Sequence, residues 1–261
     1  MSMCIYHGNC ADGFGAAWVV RKALGEIDFH PGKYQEAPPD VDGKDVVMVD
    51  FSYKRPVLLE MAKHANSILI LDHHKSAAED LIELPDNVQC TFNMDRSGAM
   101  LAWDHYFPDQ APPILLLHIE DRDLWRFALQ NTREIQANVF SHPYDFAVWD
   151  ELMRTDPALL IADGKAIERK HFKDVNELLG VVVRDMMIAG HRVPVANVPY
   201  TMTSDAGIHL AQGHPFAACY WDTPGGRAFS LPSTDDGMDV SRISSHSGGR
   251  GHPPASRLPL C

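Results

Sequence analysis

The stretch of sequence that decides the fold reads Ser67-Ile68-Leu69-Ile70-Leu71-Asp72-His73-His74-Lys75. It begins with an apolar run whose length suits a buried strand, and it ends abruptly in an acid and two histidines. Open α/β sheets build their sites at the carboxyl ends of their strands, so this tripeptide is a candidate functional site. Neighbouring side chains on an extended backbone point to opposite sides, so at most one of the two histidines faces a given ion. A polar turn after a strand explains the tripeptide equally well, and the rest of the chain must decide between the two interpretations.

Two further apolar segments end in the same type of residue. The segment from Met3 to Tyr6 is followed by His7, and the segment from Val46 to Val49 is followed by Asp50. Helical patterns separate these segments, which indicates parallel βαβ units. Because the carboxyl ends of parallel strands lie at one edge of the sheet, we expect all three polar endings to meet there. This convergence favours a functional site over a simple turn.

The remaining sequence predicts a second, smaller unit. Residues 156–188 carry apolar side chains at helical spacing and predict one long helix. Beyond Gly190, short strands and a short helix follow one another, which is typical of an α+β unit. We therefore expect an α/β fold in which a parallel-sheet domain with flanking helices precedes a connector helix and a small α+β domain. The expected boundaries are 1–150, 151–190 and 191–261.

Composition and charge restrict the function. The 261 residues carry a formal net charge of −12, and long nucleic acids are gripped by basic surfaces, so small phosphorylated substrates are favoured over a long duplex. No stretch approaches the length of a membrane span, and the N-terminus lacks the pattern of a signal peptide. The five cysteines are an odd number without a CxxC pair, which favours a reducing compartment and argues against a zinc–cysteine site. We expect a cytoplasmic protein without a membrane partner.

Three other stretches are candidates for substrate contact. The sequence from Ser247 to Ala255 places three glycines beside Arg250 and His252, a combination that can hold phosphate, although glycines alone favour a flexible loop. Residues 120–125 alternate acid and base, which is typical of a solvated, salt-bridged helix end. Ser97 is expected to cap a helix, with substrate contact as the alternative.

Taken in order, these motifs resemble those of the DHH phosphoesterase superfamily, in the branch with a C-terminal DHH-associated domain. The resemblance covers nearly the whole chain. The residues that carry it are the segment from His7 to Gly13, Asp50, the tripeptide at 72–74, Asp121 and the segment from Gly248 to His252. It implies a two-domain, Mn²⁺-dependent phosphohydrolase with its active site in the cleft between the domains.

The resemblance implies two metal ions with a shared ligand. Asp50 would bridge the ions, and the other ligands would be His7 for one ion and Asp12, His73 and Asp121 for the other. Oxygen and imidazole ligands without thiolates suit Mn²⁺, and Zn²⁺, Fe²⁺ or Co²⁺ remain alternatives.

The acidic motif offers two aspartates, of which the resemblance favours Asp121. The family places a bulky residue four positions after the ligand, and Trp125 fits this spacing.

The resemblance also assigns the residues around the reacting phosphate. His74 would approach the phosphate, and together with Asp50 and Asp12 it forms the expected catalytic set. Asp72 would orient a histidine by accepting its hydrogen bond. The expected substrate contacts are His74, Ser97, Gly249, Arg250, Gly251 and His252.

The chain departs from the family pattern in its first motif. The family has two aspartates one residue apart, whereas here Asp12 is present and Cys10 stands two positions before it. Either Cys10 or Asn9 can contribute to the site that contains His7, and the sequence does not decide between them.

The favoured function is a metal-dependent phosphodiesterase of the nanoRNase or oligoribonuclease type, which uses a metal-activated water on short oligonucleotides or on linear or cyclic dinucleotides. The enzyme alternative is a phosphatase for a small nucleotide such as 3′-phosphoadenosine 5′-phosphate. A non-catalytic nucleotide sensor is the alternative from another class, and the missing aspartate is its motivation. A homodimer is a further expectation.

Overall fold

The structure is a computed structural model that describes residues 2–34, 36–224, 226–234, 237–238 and 240, together with the strand segments 251–252 and 255–259. The chain divides into two compact units, Met1–Glu168 and Arg169–Cys261. Each unit contains its own sheet.

The N-terminal unit is built on a parallel sheet. Its strands are β1 (Ser2–His7), β2 (Asp28–Gly32), β3 (Asp45–Val49), β4 (Ser67–Asp72) and β5 (Val88–Phe92). They lie in the order β2-β1-β3-β4-β5, and each neighbouring pair is parallel. The predicted α/β class is therefore confirmed.

Helices cover both faces of this sheet. They are α1 (Ala11–Leu24), α2 (Arg55–His64), α3 (Lys75–Asp80), α4 (Gly98–Tyr106), α5 (Ile114–Asp123), α6 (Thr132–Val139) and α7 (Phe146–Leu152). Successive residues of β3 point to opposite faces of the sheet. Val47 and Val49 pack in the core that contains α1, α4 and α5. Val46 and Met48 pack in the core that contains α2. Burial on both faces explains why the strands are continuous apolar runs in the sequence.

The sequence did not predict β2, α6 or α7. Pro31 lies within β2, and proline is tolerated there because β2 is an edge strand of the sheet, where a missing N–H group breaks no ladder. The helices α6 and α7 have only 8 and 7 residues, too few for a clear helical period.

The C-terminal unit contains a mixed sheet. Its strands are β6 (Arg184–Ile188), β7 (His191–Asn197), β8 (Ala218–Thr223), β9 (Gly226–Pro232), β10 (Gly251–His252) and β11 (Ala255–Pro259). Their order is β10-β11-β9-β8-β7-β6, and the pair β7–β8 is parallel while the other pairs are antiparallel. The helix α9 (Thr203–Ala211) packs on this sheet through the apolar cluster that contains Ala206 and Cys219. The predicted strands and short helix of this region are confirmed.

The long helix is shorter than the sequence predicted. The helix α8 spans Pro157–Val182, and residues 184–188 form β6, which pairs with β7 through a turn at Ala189 and Gly190. The prediction that one helix continues to residue 188 is therefore wrong at its end, because a short apolar run such as Met186-Met187-Ile188 fits either period. No described helix combines the length and the apolar character needed to cross a membrane.

Candidate metal centre

The carboxyl ends of β1, β3 and β4 lie side by side, because these strands are neighbours in the sheet. His7 ends β1, Asp50 follows β3, and His73 follows β4. Their side chains meet: His73 Nε2 lies 3.0 Å from Asp50 Oδ1, and His7 Nδ1 lies 3.4 Å from Asp50 Oδ2. Asp50 has a left-handed backbone with φ of 53°, an unfavourable conformation that clusters at functional sites.

One group of candidate ligands surrounds His73 Nε2. Asp50 Oδ1 lies 3.0 Å from this nitrogen, Asp123 Oδ2 lies 3.5 Å away and Asp12 Oδ2 lies 3.9 Å away. All four residues are buried except Asp123, whose side chain is 25% exposed. Three carboxylates around one imidazole form a donor set that suits a divalent cation.

A second group shares Asp50 with the first. The ligand atoms of His7, Cys10 and Asp50 all lie within 4.8 Å of one another. Asp50 directs Oδ1 towards His73 and Oδ2 towards His7, so one carboxylate faces both groups. The alternative that Cys10 contributes, which the sequence left open, has the support of this grouping.

Two buried oxygens show that the residues fit a cation. Within the described part of the chain, Asp50 Oδ2 and Asp123 Oδ2 are buried and accept no hydrogen bond of good geometry. Burying a carboxylate oxygen without a donor is costly unless it is paired or binds a metal ion. The cluster therefore has the composition and the geometry of a divalent-metal centre.

The amino end of α4 holds Asp12 in place. Asp12 lies in the first turn of α1, and its carboxylate accepts hydrogen bonds from the N–H groups of Gly98 at 2.6 Å and Ala99 at 3.1 Å. These N–H groups have no partner within their own helix, and the helix dipole favours a negative charge there. A Cβ atom added to Gly98 would lie 2.4 Å from Asp50 Cβ and 2.9 Å from Asp12 Oδ2. Glycine at residue 98 therefore lets α4 pack directly against two candidate ligands.

Ser97 stands at the cap position of α4, as the sequence predicted. Its hydroxyl oxygen accepts a hydrogen bond from the N–H of Met100 at 3.3 Å, and its own N–H donates to Glu120 Oε1. Ser97 is fully buried, and its contact with substrate stays a prediction.

Asp72 fixes the orientation of His74. The fully buried Asp72 accepts a hydrogen bond from His74 Nδ1 at 2.6 Å through Oδ1, and its Oδ2 accepts one from the Ser52 hydroxyl at 3.2 Å. Because Asp72 engages Nδ1, a phosphate would be met by the other ring nitrogen of His74, Nε2. Burial alone would lower the pKa of His74, but attraction to Asp72 outweighs it and raises the pKa above its usual value.

The acidic motif presents Asp123 to the cluster, whereas the sequence favoured Asp121. The Asp121 carboxylate accepts hydrogen bonds from the N–H groups of Ala128 at 2.8 Å and Leu129 at 3.1 Å, and from the Thr132 hydroxyl at 2.5 Å. Residues two apart on a helix are separated by about 200°, so the two aspartates point to opposite sides.

A signal in the sequence could have identified Asp123. Leu116 and Ile119 are buried, and both would touch a Cβ atom added to Gly15 of α1. Asp123 continues their spacing of three and four residues along α5 and therefore shares the face that points towards α1.

The glycine-rich stretch is only partly described. Gly249 and Arg250 lie outside the described residues. Gly251 and His252 form β10, which pairs with β11, so this part is a strand where the sequence predicted a loop. The contact of all four residues with substrate stays a prediction.

Three residues of the cluster have raised pKa values. Burial would lower the pKa of His73, but the hydrogen bond with Asp50 and attraction to Asp123, Asp50 and Asp12 raise it to about 10. Burial and repulsion from Asp50 and Asp123 raise the pKa of Asp12 well above its usual range. The pKa of Asp123 is also raised, by burial first and by repulsion from Asp50.

Metal binding is therefore expected to release protons at pH 7.5. His73 is protonated at this pH because its pKa lies near 10, and a ligand nitrogen must give up its proton. The protonated His73 stabilises the metal-free fold fully below the unfolded-state pKa of about 6.5, and this contribution disappears as the pH rises through 10. Metal affinity should consequently fall as the pH is lowered from 8 to 6. Titration calorimetry with Mn²⁺ in two buffers of different ionisation enthalpy measures the release, and an observed enthalpy independent of the buffer would contradict it.

The chain was compared with family models and with known protein sequences. No family model matches the chain. The chain is 31% identical over 295 residues to an uncharacterized protein of Acanthamoeba polyphaga mimivirus, and the match covers 99% of this chain and 67% of the viral protein.

Several solved structures share the fold. The DHH domain of a member of a family of ribosomal proteins has a TM-score of 0.63 at 14% identity, covering 98% of this chain and 82% of that one. RecJ from Thermus thermophilus, solved with Mn²⁺, has a TM-score of 0.52 at 13% identity, and the match covers all of this chain and 49% of RecJ. A pGpG-specific phosphodiesterase from Vibrio cholerae has a TM-score of 0.50 at 13% identity, covering 100% of this chain and 93% of that one. At these identities the likeness shows the fold.

Proposed function

We propose that this chain, which belongs to one family with the mimivirus protein and shares the fold of DHH-domain proteins, is a metal-dependent phosphodiesterase of the DHH superfamily for short oligonucleotides or dinucleotides. The observation that carries this proposal is the Asp50 carboxylate, which faces His73 with one oxygen and His7 with the other. The proposed ligands are His7, Asp50 and Cys10 for one cation and Asp12, Asp50, His73 and Asp123 for the other. Mn²⁺ is the proposed metal because oxygen ligands dominate the second set.

The residues of the site can bind and neutralise a phosphodiester. The chemistry that divalent cations supply here when bound is that of a Lewis acid, which acidifies water and neutralises phosphate charge. His74 is held by Asp72 through Nδ1. Although burial opposes it, attraction to Asp72 raises the pKa of His74 and so favours the protonated ring, whose Nε2–H can donate to a phosphate oxygen. Asp72 acts on the reaction by fixing this ring and has no direct contact with substrate in the proposal.

Two observations support a short substrate. The net charge of −12 opposes binding of a long polyanion, whereas a dinucleotide requires only local charges. The shared fold with a pGpG-specific phosphodiesterase supports a substrate of that size.

A substrate panel with Mn²⁺ tests the proposal. We expect mononucleotides as products from linear dinucleotides and little turnover of a long single strand. Equal kcat/KM on the long strand would contradict the proposed substrate class. Release of inorganic phosphate from a nucleoside 3′,5′-bisphosphate, without cleavage of dinucleotides, would identify the phosphatase alternative. Binding of these compounds without any turnover would identify a sensor.

Cys10 should give one cation site a thiolate ligand. Soft sulfur ligands bind borderline metals such as Co²⁺ and produce charge-transfer absorption in the near ultraviolet. We expect this absorption in the Co²⁺-loaded protein and its loss in Cys10→Ser. Cys90→Ser is the matched control, because Cys90 is a partly buried free cysteine on β5 outside the described ligand groups. Equal spectra of the wild type and Cys10→Ser would show that Cys10 does not bind the metal.

A further inference from the structure

Aromatic rings and arginines are stacked on one another where the chain passes from α5 to α6. The Arg122 guanidinium carbon lies 4.1 Å from the centre of the Trp125 ring, and that of Arg133 lies 3.8 Å from the centre of the Phe127 ring. The Trp125 and Phe127 rings meet edge to face, with 5.2 Å between their centres. We call these four residues the stacking cluster. All four are at least partly exposed, so planar groups are available at the surface.

The loop between α5 and α6, which carries the two aromatic residues of the stacking cluster, is held in a strained conformation. Trp125 and Phe127 have φ angles of 56° and 48°, in the left-handed region that bulky residues avoid. Asp121 holds them there: its main-chain oxygen accepts hydrogen bonds from the N–H groups of Arg126 and Phe127, and its carboxylate accepts those of Ala128 and Leu129. Strain of this kind persists where the surrounding structure enforces it, and it clusters at ligand sites. This explains why Asp121 is buried although it faces away from the metal centre.

The stacking cluster begins next to the metal centre. Asp123 Oδ2 lies 3.5 Å from His73 Nε2, and Arg122 and Trp125 are one and two residues from Asp123 in the chain. The Cα atoms of Trp125 and Asp123 are therefore within about 7.6 Å of each other. The backbone of Trp125 is therefore within the length of a nucleoside from the residue that faces the metal centre.

We propose that the stacking cluster is the subsite that binds a nucleobase of the substrate, and this inference rests on the proposed phosphodiesterase function. Indole rings and guanidinium planes are the surfaces on which proteins stack unpaired bases, and such stacking tolerates different bases. The charges fit as well, since Arg122 and Arg133 bring two positive charges to the stacking cluster in a chain of net charge −12. The substrate is therefore a phosphodiester with a base beside the scissile phosphate, and inorganic polyphosphate lacks the group that this subsite recognises.

The test compares a dinucleotide with an analogue in which one base is replaced by hydrogen. We expect Trp125→Leu to raise KM for the complete dinucleotide about 10-fold, since stacking on an aromatic ring contributes about 1–3 kcal/mol per base. The KM for the abasic analogue and the Mn²⁺ affinity should stay unchanged. Phe107→Leu is the matched control, because Phe107 also lies near a cationic side chain, Lys22. Phe107 follows the carboxyl end of α4, whereas the amino end of α4 contacts the metal centre. Equal losses on both substrates, or no loss on either, would overturn the proposal.

A binding experiment separates failure of the subsite from failure of the proposed function. Calorimetry with adenosine 5′-monophosphate and with ribose 5-phosphate requires no turnover. We expect Trp125→Leu to weaken only the first ligand, and equal weakening of both would overturn the subsite even if the dinucleotide is cleaved. Should Trp125→Leu not fold, Trp125→Phe keeps a ring. Quenching of the wild-type fluorescence by adenosine 5′-monophosphate should then be reduced in Trp125→Phe, and unchanged quenching would overturn the subsite.

Discussion

We expect the variant Asp50→Asn to lose nearly all of the proposed phosphodiesterase activity and at least one bound cation. The Asp50 carboxylate faces both ligand groups, at 3.0 Å from His73 Nε2 and 3.4 Å from His7 Nδ1. Asparagine keeps the shape but replaces one oxygen by an amide nitrogen, which does not bind a divalent cation. Changing a residue that only supports a metal ligand already lowers metal affinity or activity about 10–100-fold. Loss of a ligand that faces both groups should therefore lower kcat/KM by more than about 100-fold.

Asparagine is a better test than alanine because of the backbone at residue 50. Its φ of 53° lies in the left-handed region, which asparagine adopts more readily than alanine does. Asp50→Asn should therefore fold like the wild type, and a loss of activity would report on the chemistry. Asp42→Asn, at an exposed carboxylate outside the described ligand groups, is the matched control. The number of bound Mn²⁺ ions and kcat/KM are the measurements, and wild-type values for both in Asp50→Asn would refute a shared ligand.

The sequence predicted the residues of the centre that lie at strand ends, because their positions depend on a local pattern. The runs before His7, Asp50 and His73 are apolar and bounded, and parallel strands bring their ends to one edge of a sheet. The fold class followed from the same alternation of strands and helices. Such patterns can be recognised without knowledge of tertiary packing, because a strand buried on both faces must be apolar throughout.

The part of the centre that helices contribute depends on contacts between distant residues, so Asp12 was expected from the family resemblance and not from a local pattern. The hydrogen bond from Gly98 to Asp12 joins residues 86 positions apart, and no local pattern around Gly98 indicates it. The choice between Asp121 and Asp123 depends on which face of α5 turns towards α1. The edge strand β2 and the short strand β6 were missed for a related reason, since their conformation is decided by the neighbour with which they pair.

This dependence on distant contacts makes Gly98→Ala the second variant with a large expected effect. A Cβ atom at residue 98 would lie 2.4 Å from Asp50 Cβ, 2.8 Å from Asp50 Cα and 2.9 Å from Asp12 Oδ2. Two of these neighbours belong to the backbone or its first side-chain carbon, so they cannot rotate away, and α4 or β3 has to move. Displacing a catalytic arrangement by about 1 Å can cost about 100-fold in rate, and we expect a loss of kcat of that order together with weaker Mn²⁺ binding.

The stability of the same variant separates the packing conflict from the ordinary effect of alanine in a helix. Overpacking should lower the free energy of unfolding by about 1–3 kcal/mol. Gly180→Ala in α8 is the matched control, because a Cβ atom there meets nothing within 4 Å, and the higher helix propensity of alanine should raise stability by up to about 1 kcal/mol. Thermal unfolding of both variants, with and without Mn²⁺, measures the difference. If Gly98→Ala binds Mn²⁺ and turns over like the wild type, α4 does not position Asp12 and Asp50, and the centre must be held by the strand ends alone.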